Sequence, residues 1–185
     1  VDSDFWMRIL YAHPGRITDG LIELMAQERR ICKYLDLPLQ HINSELLESM
    51  GRRYSHEDIV ALIRKLRRRV PGIALRTTLL VGYPGEKPSH FRELCTFLQE
   101  EPFERVGVFA YSRQPGTAAA CLNSQIPRRV AEKRRRNLLR LQQEQALSFN
   151  RSLVGCKFKV LVEGPVGGSK VLYCGRTAFQ APEVD

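Results

Sequence analysis

Short apolar runs alternate with helical stripes along the first two-thirds of the chain. Met7-Arg8-Ile9-Leu10-Tyr11 predicts a strand ended by the turn His13-Pro14-Gly15. Thr18 is placed to cap a helix carrying Leu21, Ile22 and Met25. Tyr34 to Leu39 predicts a second strand, closing at Pro38 and Gln40. Asn43 and Ser44 then cap a helical stretch with Leu46, Leu47 and Met50. Ser55-His56-Glu57-Asp58 has the form of a capping box, followed by one apolar stripe of Ile59, Leu62, Ile63 and Leu66. Arg64, Lys65, Arg67, Arg68 and Arg69 lie mostly off that stripe and read as a solvated face. Pro71-Gly72 stops the helix. Ile73 to Val81 is the strongest strand pattern, and it runs into Gly82-Tyr83-Pro84-Gly85-Glu86. Phe91, Leu94, Cys95 and Leu98 then recur at helical spacing, so Cys95 reads as a small buried hydrophobe. Val106 to Tyr111 predicts a fourth strand, leaving through Ser112-Arg113-Gln114-Pro115-Gly116-Thr117.

Strands and helices taking turns in this way predict parallel βα units in an α/β fold. Right-handed crossovers gather the strand ends on one face: His13, Gln40 and His41, Gly82 to Glu86, and Tyr111 to Arg113. In such folds that face binds ligands. Four strands are too few to close a barrel, so the expectation is a partial (β/α) barrel. The pattern changes after Pro127. Arg128 to Arg151 predicts one long basic helix whose apolar side is Leu138, Leu139, Leu141 and Leu147. Lys157 to Val162, a turn at Gly164 to Gly168, and Val171-Leu172-Tyr173 predict a β-hairpin too short to bury a core of its own. The implied division is residues 1–151 and residues 152–185.

With 29 Lys plus Arg against 20 Asp plus Glu, the formal charge of +9 favours polyanionic partners such as RNA or the ribosome. Disordered and collagen-like compositions are excluded by 43% hydrophobic and 26% charged residues. No apolar run is long enough to span a membrane, and no secretory signal opens the chain. The five cysteines, at wide and unrelated spacings, argue for a reducing cytosol, hence a cytoplasmic protein, rather than a disulfide framework. The first residue is Val1, which reads as the start of a portion of something longer.

Candidate chemistry gathers at the strand ends. Glycines in the Gly82–Gly85 turn would let backbone approach a ligand closely. Gln40 is suited either to hydrogen-bond a ribose or amino acid, or to satisfy loop backbone. His13 and His41 are acid–base candidates by intrinsic pKa, yet no carboxylate or serine stands at a telling spacing to either. The four histidines make no metal-ligand pattern.

Taken together and in order, several segments resemble the radical S-adenosylmethionine (SAM) methylthiotransferases. They are Leu37-Pro38-Leu39-Gln40-His41, then Leu47, Met50, Arg52 and Arg53, then Arg76 through Glu86, then Phe109-Ala110-Tyr111-Ser112 with Gly116-Thr117. The stretch Thr78 to Glu86 is the most specific of these. Leu161-Val162-Glu163-Gly164 and Gly175-Arg176-Thr177 are similar to the opening of a TRAM domain, the small β-barrel that grips substrate in this family. Two branches exist: one thiomethylates an adenosine of transfer RNA, the other an aspartate of protein twelve of the small ribosomal subunit. Tyr11-Ala12-His13-Pro14, Ile17-Thr18-Asp19 and the tail Gly175-Arg176-Thr177 followed by Ala181-Pro182-Glu183-Val184-Asp185 resemble the ribosomal-protein (RimO-type) branch.

The resemblance implies SAM and 4Fe-4S clusters as cofactors, and a ribosomal protein or the ribosome as partner. It places Gln40 against SAM, Arg52 at the methionyl carboxylate, and Thr78 near the ribose. Gly82, Tyr83, Pro84 and Gly85, with Phe109 and Tyr111, would flank the adenine. The family often carries an acidic residue where Thr78 stands, and Arg53 competes with Arg52. The chain departs from the family in lacking CxxxCxxC, the motif whose thiolates hold the cluster that cleaves SAM to a hydrogen-abstracting radical. The expectation is therefore the later part of a core barrel plus the start of a TRAM domain. It would supply cofactor and substrate contacts but no catalytic residue and no metal ligand. Two other readings remain at this point. One is an RNA- or ribosome-binding module using Arg128, Arg129, Lys133, Arg134, Arg135 and Arg136; the other is an α/β-barrel enzyme working without iron.

Overall fold

Odd and even positions of the central strand meet different surroundings, and that asymmetry organises the molecule. A computed structural model describes residues 5–182. The order is β1 (Met7–Ile9), a 3-10 turn (Pro14–Arg16), α1 (Asp19–Gln27), β2 (Ile31–Asp36), α2 (Ser44–Ser49) and α3 (His56–Arg69). It continues with β3 (Ala74–Val81), α4 (Pro88–Glu100), β4 (Arg105–Ala110), a second 3-10 turn (Ala118–Cys121), α5 (Arg128–Ser152), β5 (Val160–Pro165) and β6 (Tyr173–Thr177). β1 to β4 form one parallel sheet in sequence order, as the alternating pattern predicts, and β5 and β6 pair antiparallel.

Leu75, Leu79 and Val81 of β3 join Leu35 and Val108 in a core that the helices close with Ile22, Met25, Ile59, Ile63, Leu66, Leu94 and Leu138. Helices are built where the caps predict them. Thr18, Asn43 and Ser55 each accept a hydrogen bond from a backbone N–H of the first turn, and Asp58 completes the capping box at Ser55. The opposite side of the sheet is different. Cys32, Tyr34 and Ala74 are covered by Trp6, Ala178, Phe179 and Ala181, while Arg8 donates to the carbonyl of Ala178 at 3.0 Å. The chain's own tail therefore covers the lower part of this face. Its upper part holds the polar row Asp36, Arg76 and Thr78. A sheet with helices on one side and a polar row on the other is the wall of a partial (β/α) barrel.

Several expected boundaries move. β2 begins at Ile31, earlier than Tyr34, because Lys33 is a single exposed position in an otherwise buried strand. The extended run beyond Asp36 is held to β3 by Leu37 N–H donating to Arg76 O at 2.8 Å and by an isolated bridge, Gln40 with Leu79. β1 stops at Ile9, where its register against β2 is already irregular. β5 starts at Val160, not Lys157, and continues through Gly164 with a bulge; β6 starts at Tyr173. Leu147 is 51% exposed and adds nothing to the buried side of α5. Glu183, Val184 and Asp185 of the tail motif, like residues 1–4, lie outside the described residues. Among the described residues no helix is long and apolar enough to cross a membrane.

Candidate functional site

Gln40 stands in the left-handed region at φ 69°, a conformation that costs a non-glycine residue about 1 kcal/mol. Its backbone is held there on both sides. The Gln40 N–H donates to Thr78 O at 2.8 Å, and Leu80 N–H donates to Gln40 O at 2.7 Å. This fixes the end of the β2 segment against the middle of β3, bringing Gln40 and Thr78 together. Thr78 Oγ1 accepts from Arg76 Nη1 at 3.2 Å, and the same nitrogen lies 3.1 Å from Asp36 Oδ1.

Across the sheet, Thr78 is registered with Gly107, and Leu80 with Phe109. The Phe109 ring is 59% exposed. Tyr111 stacks edge-on against Tyr83, ring centres 5.6 Å apart, and its hydroxyl is buried with no hydrogen-bond partner among the described residues. Tyr83 itself is committed to the fold: its hydroxyl donates to Ser49 O at 3.0 Å.

Arg52 approaches from below. The Tyr54 hydroxyl donates to Leu39 O at 3.2 Å. Burial pushes that phenol's pKa up, and the nearby Arg52 guanidinium opposes the rise. Arg52 is thereby placed beside the residue preceding Gln40. Arg53 is exposed and lines a cleft with Pro14, Tyr54 and Asp58; spacing favours Arg52 for the single role the two could share.

The Gly82–Gly85 turn is glycine-rich for a packing reason. A Cβ on Gly82 would lie 2.2 Å from the Cβ of Ala131 in α5, and its φ is +76°. Gly82 and Pro84 are buried, while Gly85, at φ +86° with open space around it, is partly exposed. Beneath the turn lies a charged network with no local sequence signal. Glu86 accepts a short hydrogen bond from Gly82 N–H and pairs with Arg134 Nη1 at 2.8 Å. Arg134 also donates to Glu86 O at 2.9 Å. His41 Nδ1 accepts from Asn43 N–H at 3.0 Å, so its Nε2 carries the proton, 3.7 Å from Glu86 Oε1. His41 and Glu86 are fully buried. His41 is thus a strut and not a solvent-facing acid–base group. His13 likewise serves its turn, accepting from Gly15 N–H and packing on Tyr54.

The basic run expected of α5 is partly spent inside the protein. Arg134 is only 8% exposed, and Arg135 Nε donates to Val108 O at 3.1 Å while pairing with Glu132. The run in α5 is therefore not one continuous solvated patch. In α3, Arg64, Lys65 and Arg67 pair with Glu101, Asp19 and Glu104. Apolar spacing marks which residues leave the stripe, but not which acidic partners another element brings to them.

The described residues do not fit an iron–sulfur cluster. No group of three or more His, Cys, Asp or Glu side chains among them converges as metal ligands. The two cysteines nearest the core, Cys32 and Cys95, have their thiol pKa pushed up by burial, which disfavours the thiolate a metal requires. For SAM the outcome is the reverse. The orphaned Tyr111 hydroxyl, the strained Gln40 and the exposed Phe109 ring provide polar and aromatic groups along one edge.

Comparison with known proteins follows this geometry. The family model described as the Radical SAM superfamily matches residues 5–98. A protein of Geotalea uraniireducens named ribosomal protein uS12 methylthiotransferase RimO is 46% identical over all 185 residues, 41% of its own length. The protein of the same name from Pelotomaculum thermopropionicum is 48% identical over the whole chain, 42% of its length. The chain thus spans about two-fifths of these curated relatives. Among solved structures, TsrM of Kitasatospora setae, a radical S-adenosylmethionine methyltransferase with cobalamin and a [4Fe-4S] cluster bound, is 27% identical. It matches with TM-score 0.51 over 62% of this chain and 22% of its own. Coproporphyrinogen III oxidase of Escherichia coli, at 21% identity and TM-score 0.56, covers 80% of this chain and 32% of its own, and shows the fold alone.

Proposed function

This chain belongs to the radical SAM superfamily, and from that premise we propose that it is part of an enzyme installing a methylthio group on the β-carbon of an aspartate in a small-subunit ribosomal protein. The observation that carries the reading is the identity of 46% and 48%, along the entire chain, to relatives that bear that name. The proposed setting is cytoplasmic. Residues 1–151 would supply the later part of the core barrel, and residues 152–185 the start of the substrate-gripping β domain.

In this proposal Gln40 orients SAM from the strained end of the β2 segment. Arg52 pairs with the methionyl carboxylate, for which a guanidinium is suited by its paired N–H donors. Thr78 serves the ribose. The exposed ring of Phe109 and the Tyr111 phenol flank the adenine with Gly85, while Gly82, Tyr83 and Pro84 hold the turn's shape from within. Bound SAM supplies the radical chemistry that opens an unactivated C–H bond, and the protein supplies position and exclusion of water. The cluster is proposed to take its thiolates from polypeptide outside these 185 residues.

The test uses the full-length protein, reconstituted anaerobically with iron and sulfide. Gln40→Ala and Arg52→Ala should each weaken SAM binding by roughly tenfold, the effect of losing a hydrogen bond to a charged or polar group. Unchanged affinity in both variants would overturn the placement of SAM. Mass spectrometry of the ribosomal protein after turnover should show a methylthio group on one aspartate. Modification of a transfer-RNA adenosine instead would overturn the substrate.

A further inference from the structure

A cavity of about 390 Å³ opens where β4 ends and α5 begins, lined by Tyr111, Arg113, Gln125, Arg128 and Glu132 among others. Its volume is at the small end of ligand pockets, room for an aspartate together with neighbouring peptide. We propose that this cavity binds the carboxylate of the substrate aspartate, with Arg128 as the principal anchor and Arg113 beside it. The inference rests on the function proposed above and assigns a new site within it.

The reaction takes place on the carbon next to a carboxylate, so that carboxylate must be held close to the cofactor edge. The other guanidiniums near this edge are committed. Arg76 is paired with Asp36, Arg134 with Glu86, Arg135 with Glu132 and the Val108 carbonyl, and Arg52 is assigned above to the methionyl carboxylate. Arg128 makes no ion pair among the described residues. Arg113 uses Nε on Ala120 O at 3.0 Å, which fixes its stem and leaves its terminal nitrogens. Gln125 is spent bracing the loop through Ala119 O and Leu122 O, both at 2.9 Å. Glu132 is turned to Arg135 at 3.5 Å, so the charge remaining to the cavity is positive. The start of α5 adds to it, since Pro127 offers no side-chain cap and a helix N-terminus favours an anion. Tyr111 connects the cavity to the proposed adenine edge, and its unpaired buried hydroxyl is a further donor. A carboxylate here meets planar donors in the geometry that guanidiniums match best.

The experiment measures binding to the full-length protein of a synthetic peptide carrying the target aspartate, and of the same peptide with asparagine there. The aspartate peptide should bind roughly tenfold more tightly, the scale of a charge-assisted hydrogen bond. Arg128→Met should abolish the difference while leaving SAM affinity unchanged; Arg128 is exposed, so folding is not at stake. Arg128→Lys should restore part of the preference. Equal binding of the two peptides by the unmutated protein would overturn the carboxylate site and leave the proposed function standing. Equal weakening of both peptides by Arg128→Met would overturn it too, marking a general peptide contact. Binding of neither peptide, with tight binding of transfer RNA, would overturn the proposed function and the inference together.

Discussion

At residue 82 two demands coincide. The backbone is left-handed, and the place a Cβ would occupy is filled by Ala131. Gly82→Ala should therefore destabilise the protein by roughly 2–4 kcal/mol, adding overpacking to a positive-φ penalty. Gly85→Ala meets only the φ penalty, about 1 kcal/mol, because nothing lies within 4 Å of its Cβ position. Urea unfolding of the two variants separates the terms, and Ala131→Gly should recover part of the loss at 82. Equal losses at both positions would refute the packing argument. Directly beneath, Glu86→Gln would leave Arg134 buried without its counter-charge, an expected loss of about 3–5 kcal/mol. Combining it with Arg134→Met should cost less than the sum of the single changes, because the stranded charge is gone. None of this is visible in the local sequence. The Gly-containing turn was legible as a special backbone, but what fills the Cβ site is Ala131, and what pairs with Glu86 is Arg134, 48 positions on, both on a helix whose arginines look alike from composition.

At the scale of elements, caps and strands were readable because they are local. Ser55 with Asp58, Thr18 and Asn43 cap the helices their positions imply. Ser55→Ala should cost about 1 kcal/mol in the same assay. β2 was read three residues late because one exposed lysine breaks an otherwise continuous buried run, and local pattern cannot show that both faces of a strand are covered. Helix α4 carries a pH response of its own. His90 is buried, and that burial, with Lys87 nearby, holds its pKa below the usual value of 6.5; Glu45 and Glu93 oppose the shift, and His41 adds to it. A depressed histidine favours the neutral form in the folded state. Its contribution is therefore present above pH 6.5 and is lost as the pH falls from 6.5 toward the lower folded pKa. His90→Gln should flatten the stability profile over that acid interval while leaving the neutral region little changed. A profile of unaltered slope would refute the assignment.

For the whole molecule, the sheet's second face is the feature that sequence reading reached only halfway. One-sided helical cover follows from the βα order, and the strand ends do collect at one edge, with Gln40 bonded to Thr78 and Tyr83 stacked on Tyr111. The return of the tail to that face was not legible, because Phe179 and Ala181 carry no periodic signal and meet partners at the opposite end of the chain. Phe179 packs edge-on against Phe149 of α5 and Phe158, at 6.0 and 5.1 Å between ring centres, and it borders the cluster of Cys32, Tyr34 and Ala74. This arrangement makes Cys32 a reporter of the cover. The thiol is buried, and desolvation pushes its pKa up, so both access and thiolate formation protect it from alkylation. Phe179→Ala removes the ring that joins tail, helix and hairpin, and so lowers the free energy of local opening. Cys32 should then react about tenfold faster or more, as a loss of 1.4 kcal/mol in opening energy implies. The exposed Cys121 serves as the internal standard, since its rate should stay the same. If Cys32 keeps its protection in the variant, the cover does not depend on Phe179, and the Ala181 contact together with the Arg8 hydrogen bond to Ala178 must hold the tail without it.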